Sequence, residues 1–205
     1  MMSPEKIPCE YMSWERFYDL SKITGKKIIH EDYVPDVIVG LARGGWCFAR
    51  VLCDVIGVKD LLSVKVEHWG VTATPDGEAR IKYPLNVDFS GKRVLVIDDI
   101  SDTGKSLRVA TDHVWFFNPL EVKTATLLLL KGSNFIPDFF GEELTWRWVV
   151  FPWNFVEDMC NLIPKISEDS ISMLMIKRRM KETYSLDLTE EEITVILSEV
   201  ERRKQ

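Results

Sequence analysis

The stretch KRVLVIDDISDTGKSL (92–107) constrains the fold more than any other part of the chain. Four consecutive apolar residues, Val94 to Ile97, have the composition of a strand buried on both faces. They run straight into Asp98 and Asp99, and a helical pattern opens at Gly104. A strand buried on both faces needs helices on each side, as in a parallel α/β sheet. Gly104-Lys105-Ser106 also matches the end of the nucleotide-binding loop G-x-x-x-x-G-K-[ST]. Five places before Gly104, however, stands Asp99. A carboxylate there replaces the glycine whose backbone freedom lets that loop wrap a triphosphate. The loop is of another kind.

The rest of the chain repeats the alternation. Trp14, Phe17, Leu20 and Ile23 recur at helical spacing over 13–29, with Gly25 expected to interrupt or end the helix. DVIVGL (36–41) reads as a buried strand, stopped by Ala42-Arg43-Gly44-Gly45 and followed by a helix closed at Gly57. LLSVKVEHW (61–69) reads as a strand, and the polar stretch 70–84 as a long loop or hairpin. The helix opening at Gly104 is expected to end at Asn118-Pro119. VKTATLLLL (122–130) is a further strand ending at Lys131-Gly132, and TWRWVVFPW (145–153) is expected to be the last strand of the core. From Pro164 two helices follow, the second opened by a Thr189-x-x-Glu192 capping box. Their apolar positions, Ile171, Leu174, Met175, Ile193, Ile196 and Leu197, suit docking on the core or a subunit partner. The expected division is a core domain over 1–160 and a helical extension over 161–205. In parallel sheets ligands bind at the carboxyl ends of the strands. The loops LARGG, DDISDTGKS and LKGS all leave strand ends.

A net charge of −6 over 205 residues gives no broad attraction for nucleic acid or anionic lipid. No apolar run approaches the ~20 residues that span a bilayer, and MMSPEKIPCEYMSWERF has no apolar signal region. A cytoplasmic location, without nucleic-acid or membrane partners, is expected. Cys9, Cys47, Cys53 and Cys160 form no C-x-x-C pair, so neither a zinc site nor a disulfide framework is expected.

The loop after the acidic pair lies at a strand–helix junction, where free N–H groups and the helix dipole favour a phosphate. Thr103 and Ser106 add hydroxyl donors, Lys105 adds charge and Gly104 admits close backbone approach. Asp98 and Asp99 are acceptors suited to the vicinal hydroxyls of a sugar or to Mg²⁺. Together these groups describe a site for a ribose 5-phosphate. The competing reading is an ordinary helix cap beside two solvated acids.

VLVIDDISDTGKSL resembles the phosphoribosyl-pyrophosphate (PRPP) signature of the type I phosphoribosyltransferases: four apolar residues, two acids, two variable positions, then D-T-G-x-[ST]. The resemblance implies an α/β fold with a central parallel sheet flanked by helices, a small hood and a helical C-terminal extension. It implies that Asp98 and Asp99 hold the ribose hydroxyls, directly or through Mg²⁺. Ser101, Asp102, Thr103, Gly104, Lys105 and Ser106 would bind PRPP around its 5′-phosphate, with Asp102 near the purine N7. Ala42, Arg43 and Gly44 would bind pyrophosphate, the Ala42–Arg43 bond being cis and Arg43 joining Asp102 in catalysis. Residues 67–84 fall where the family carries a lid, and Lys65, Arg80 and Lys82 could meet pyrophosphate there.

Lys131 is placed like a lysine of bacterial xanthine-guanine phosphoribosyltransferases that donates to the purine O6. WVVFPWN (148–154) resembles their W-x-x-x-P-W-D segment, which makes Trp148 the stacking ring and Val149 a backbone contact. Asn154 stands where the family has its acid, and Glu157 and Asp158 are near enough to supply a carboxylate. The implied reaction is a Mg²⁺-dependent transfer from PRPP to guanine, xanthine or hypoxanthine. Its products are the nucleoside monophosphate and pyrophosphate, and a homodimer or homotetramer is expected. The alternatives are an enzyme for adenine, orotate or uracil, or a regulator that binds PRPP without catalysis.

Overall fold

The computed structural model describes residues 7–69, 78–167 and 172–204. In chain order these form β1 (Cys9–Tyr11), α1 (Trp14–His30), β2 (Val37–Ala42), α2 (Gly44–Ile56), β3 (Asp60–Trp69), β4 (Glu78–Tyr83) and β5 (Arg93–Ser101). There follow α3 (Lys105–Trp115), β6 (Glu121–Leu130), β7 (Phe139–Leu144), β8 (Trp148–Val150), α4 (Phe155–Ile166), α5 (Met173–Tyr184) and α6 (Glu190–Arg203). The chain divides into two compact units, Glu15–Trp146 and, together, Met1–Trp14 with Arg147–Gln205.

In the larger unit six strands lie in the order β4-β3-β2-β5-β6-β7. All neighbours are parallel except β4, which runs antiparallel to β3. Val94 to Ile97 are fully buried at the centre, as a strand covered on both faces requires. From β2 the chain crosses to β3 on one side, and from β5 it crosses to β6 on the other. Neighbouring strands whose connections leave in opposite directions open a crevice at their carboxyl ends. Pairing of β2 with β5 stops at Gly40↔Ile97, so Ala42-Arg43 and Asp98-Asp99 lie just beyond the last paired residues.

Several expectations are corrected. Gly25 neither ends nor breaks α1, which continues to His30; it is the point at which α1 meets Val55, Leu52 and Ile56 of α2. The strand completing the main sheet is β7, not 145–153. FFGEEL lacks a clean apolar alternation because it is an edge strand with outward acids, a pattern that discourages further pairing. Its Gly141 lies where a Cβ would come within 2.6 Å of the Leu127 carbonyl of β6. Asp138 fixes its entry, its carboxylate accepting from Thr124 N and Thr124 Oγ1, both at 2.7 Å. The polar stretch after β3 forms a hairpin with β4, residues 70–77 lying outside the described part. Helix α3 stops at Trp115, ahead of Asn118.

In the smaller unit β8 pairs in parallel with β1, Cys9 opposite Trp148 and Tyr11 opposite Val150. Met159, Ile163, Ile176, Met180, Ile193 and Ile196 form the centre of its core. Helix α4, unexpected from sequence, carries Pro164 inside its last turn. A strand pairing draws the N-terminal residues to the C-terminal ones, so both belong to one compact unit. The buried face of α5 is Ile176, Met180 and Tyr184, whereas Leu174 and Met175 are exposed; Ile171 lies outside the described residues. Helix α6 follows expectation: Thr189 Oγ1 accepts from Glu192 N at 3.1 Å while Glu192 Oε2 accepts from Thr189 N at 2.8 Å, completing the capping box.

A Gly25→Ala substitution adds a methyl group that overlaps Val55 Cγ1 and comes within 3.3 Å of Leu52 Cδ1. Alanine gains about 1 kcal/mol of helix propensity, whereas overpacking a filled contact costs about 1–3 kcal/mol. Denaturant unfolding is expected to show a net loss of about 1 kcal/mol, partly recovered when Val55→Ala is added.

Candidate active site

The site grows from the two strand ends at the crevice. Asp98 Oδ1 accepts the N–H of Asp99 at 3.0 Å, and the Asp98 carboxylate also accepts the N–H of Gly45 in the first turn of α2. Burial, and then the Asp99 carboxylate beside it, push the Asp98 carboxyl well above the usual carboxylate range. Gly44 and Gly45 make the approach possible. A Cβ on Gly44 would overlap the Asp99 carboxylate, and one on Gly45 would come within 2.7 Å of Asp98 Cα and the Ile97 carbonyl. The Ala42–Arg43 peptide is cis, and the exposed Arg43 takes the N-cap position of α2.

Beyond β5, Asp102 is exposed at the tip of the loop while Thr103, Lys105 and Ser106 are half-buried. Gly104 occupies the N-cap of α3 with φ 76°, a left-handed conformation that suits glycine, and it offers no capping side chain. The first N–H groups of α3 point from this loop, which gives it the character of an anion site. The Ser101 side chain turns toward the loop after β6. It is buried, and its hydroxyl donates to the Phe135 carbonyl at 2.8 Å and lies 3.0 Å from Ser133 Oγ. That side chain supports the next loop.

Lys131 is exposed one residue past β6, its N–H donating to the Leu144 carbonyl at 2.8 Å. Three of the expected loops, after β2, β5 and β6, thus come to the same edge of the sheet. On the β3–β4 hairpin Lys82 Nζ lies 2.9 Å from Glu67 Oε1 and Lys65 Nζ 4.0 Å from it. These lysines, with Arg80, hold the Glu67 carboxyl below its ordinary value, the hydrogen bond from Lys82 foremost.

In the smaller unit Trp148 is 42% exposed. Its main-chain N–H donates to the Pro8 carbonyl at 3.0 Å, and its indole favours the charged form of the Asp158 carboxyl. Val149 is half-buried on the same strand. Trp153 stacks on Phe151 with centroids 4.8 Å apart. Asp158 is only 5% exposed, and its Oδ2 has no hydrogen-bond partner among the described residues. Burial raises its carboxyl to about 6, with Glu157 adding to the rise and the Trp148 indole opposing it. The neighbouring Cys9 thiol is pushed up to about 11 by burial and by Asp158. Of the two acids expected to serve in place of Asn154, Asp158 is the buried one. Arg108 and Phe135, which no sequence motif singled out, and Ser133, the last residue of LKGS, pack around the end of β5 and the phosphate loop.

Among the described residues no group of three or more His, Cys, Asp and Glu side chains is gathered for a metal ion, and no helix is long and apolar enough to cross a membrane. The phosphoribosyl transferase domain model matches residues 10–158, which take in parts of both units. The hypoxanthine-guanine phosphoribosyltransferase of Aquifex aeolicus is 31% identical over 123 residues, 57% of this chain and 67% of that protein. The xanthine-guanine phosphoribosyltransferase of Gluconobacter oxydans is 21% identical over 152 residues, 74% of this chain and 88% of that one. The solved purine phosphoribosyltransferase of Pyrococcus horikoshii shares 31% identity at a TM-score of 0.63, covering 72% of this chain and 94% of that chain. The chain belongs to the phosphoribosyl transferase domain family.

The buried Asp158 makes a prediction about pH. An acid whose pKa is raised on folding binds its proton more tightly folded than unfolded. Stability from this group is therefore gained as pH falls through about 6 and is complete below the ordinary value of 3.8. A gap of that size corresponds to about 3 kcal/mol. Asp158→Asn keeps an acceptor for the Trp148 indole and removes the titration. Thermal unfolding between pH 4 and 7 is expected to show the variant more stable than the wild type at pH 7, the difference closing toward pH 4.

Proposed function

We propose that this chain is a Mg²⁺-dependent phosphoribosyltransferase that moves the 5-phosphoribosyl group of PRPP to N9 of a 6-oxopurine. The bond from C1 to the pyrophosphate oxygen breaks, the bond from C1 to N9 forms, and the base gives up one proton. The observation that carries this reading is the crevice between β2 and β5. There an acidic pair, a phosphate loop and a glycine-rich turn meet at one edge of the sheet. The three relatives named above, all purine phosphoribosyltransferases, support the choice of base.

In this reading each residue takes one task. The amides opening α3, with the hydroxyls of Thr103 and Ser106 and the Lys105 ammonium, take the 5′-phosphate. Asp98 and Asp99 accept from the ribose hydroxyls and would hold the metal. Two carboxylates, with Asp98 penalised by burial and by its neighbour, favour a cation. Mg²⁺ is bound by one or two carboxylates with substrate oxygens and water completing its shell, so a larger protein cage is not required. When bound, the ion neutralises charge that develops on pyrophosphate. Arg43 can meet the phosphate oxygens in a bidentate way, with Ala42 and Gly44 giving main-chain contacts. Asp102 hydrogen-bonds to the base or accepts its proton. Lys131 donates to the 6-oxo group, while Trp148 stacks on the ring and the Val149 main chain reads its edge. Lys65, Arg80 and Lys82 meet pyrophosphate after exchanging their contacts with Glu67.

A PRPP-binding regulator finds less support. Its best basic run, Lys177-Arg178-Arg179, is engaged locally, with Arg178 2.7 Å from Glu182 and Arg179 donating to the Ile166 carbonyl. A cytoplasmic location and a homodimer or homotetramer remain part of the proposal.

Pyrophosphate release from PRPP and Mg²⁺ is measured with guanine, xanthine, hypoxanthine, adenine, orotate and uracil in turn. Release is expected with one or more 6-oxopurines. Asp102→Ala is expected to lower kcat/KM about 100-fold or more, and Lys131→Ala to raise the base KM about tenfold. Release only with adenine or a pyrimidine would overturn the roles of Lys131 and Trp148, and PRPP binding without release would favour the regulator.

A further inference from the structure

The segment that follows Lys131 is built onto the phosphate loop. Gly132, with φ 94°, turns the chain, and Ser133 N closes the turn on the Leu130 carbonyl at 3.0 Å. Ser133 Oγ then accepts from Phe135 N at 3.3 Å, approaches the Phe135 carbonyl at 3.1 Å and lies 3.0 Å from Ser101 Oγ. Ser101, the last residue of β5, donates to the same carbonyl. From the other side Arg108, one turn into α3, donates to the Asn134 carbonyl at 3.0 Å, its guanidinium 5.3 Å above the Phe135 ring. Phe135 sits directly on Gly104, so closely that a Cβ there would come within 2.8 Å of its main-chain nitrogen. The strand end before the phosphate loop, the glycine within it and the helix after it each hold residues 133–135. The same segment is anchored at its start, where Lys131 N bonds to Leu144 O of β7.

We propose that Ser133 and Arg108 are positioning residues that fasten the Lys131 segment to the 5′-phosphate loop. The base is then read from a frame set by the bound phosphate. The proposal rests on Lys131 being the purine contact, as argued above. Physically, a lysine with four rotatable bonds discriminates only if its main chain is fixed relative to the rest of the substrate. Here the fixing groups come from the element that grips the opposite end of the nucleotide. A ligand phosphate that immobilises the Gly104 turn also immobilises Phe135 and the turn carrying Lys131. The Arg108 fork and its ring contact are specific to a planar guanidinium, so lysine is not an equivalent.

Steady-state kinetics of the full chain, with PRPP, Mg²⁺ and the 6-oxopurine that releases pyrophosphate, tests the idea. Ser133→Ala and Arg108→Ala are each expected to raise the base KM about threefold to tenfold while the PRPP KM stays within about twofold. Preference over adenine is expected to fall in the same variants. Combined with Lys131→Ala, each is expected to give no more than the roughly tenfold rise of Lys131→Ala alone, because groups acting through one another are not additive. Ser133→Thr, which keeps the hydroxyl, is expected to restore the base KM, and Arg108→Lys is not. A rise in the PRPP KM instead, full additivity with Lys131→Ala, or an unchanged base KM in folded Ser133→Ala and Arg108→Ala would overturn the clamp. If the wild type turns over no 6-oxopurine, or Lys131→Ala leaves the base KM unchanged, the reading of the base site itself falls and the clamp with it. If Lys131→Ala is impaired and the clamp variants are not, the clamp alone is wrong.

Discussion

The contact on which the rest depends is that of the first turn of α2 with the acidic pair at the end of β5. Gly45 donates its N–H to Asp98, and Gly44 presents a bare Cα to the Asp99 carboxylate. Two carboxylates at the end of a buried strand repel each other and resist burial. Main-chain donors at a helix N-terminus are among the few groups able to offset that without a side-chain cation. The cost is side chains: both residues opening α2 must be glycine. The reward is a turn that brings Arg43 and the Ala42–Arg43 peptide to the same crevice as the phosphate loop.

Glycine also sets the second junction. Gly104 accepts Phe135 on one side and opens α3 on the other, so the loop after β6 and the loop after β5 share a surface. The parallel order β2-β5-β6 makes these junctions neighbours, and its reversal of direction at β2/β5 places the acids in the crevice. The chemistry proposed for the site is a consequence of that order: a phosphate held after β5, pyrophosphate after β2 and the base after β6.

Much of this was legible in the sequence because it is local. VLVI followed by two acids specifies a buried strand and a polar exit, and Thr189-x-x-Glu192 specifies a helix start. Both are patterns of a few residues with one physical solution. What failed depends on partners far along the chain. Trp148–Val150 reads as a core strand, yet its partner is Cys9–Tyr11, a pairing that no local pattern reports. Gly25 looks like a stop because glycine is a poor helix former, but the close approach of α2 selects it. The Ser101 hydroxyl sits within the family signature and serves the fold of the next loop. The acid missing at Asn154 is a similar case. Asp158 stands four residues on in α4, where its carboxylate meets the indole of Trp148.

We propose above that the glycine turn and the acidic pair together form a PRPP site that needs a divalent cation. Calorimetric titration of PRPP into the wild-type chain and into Gly44→Ala, with and without Mg²⁺, tests it directly. Saturable binding to the wild type with Mg²⁺ is expected, weakened about tenfold or more when the metal is withheld or a methyl group is forced against Asp99. PRPP binding that is indifferent both to Mg²⁺ and to Gly44→Ala would contradict it.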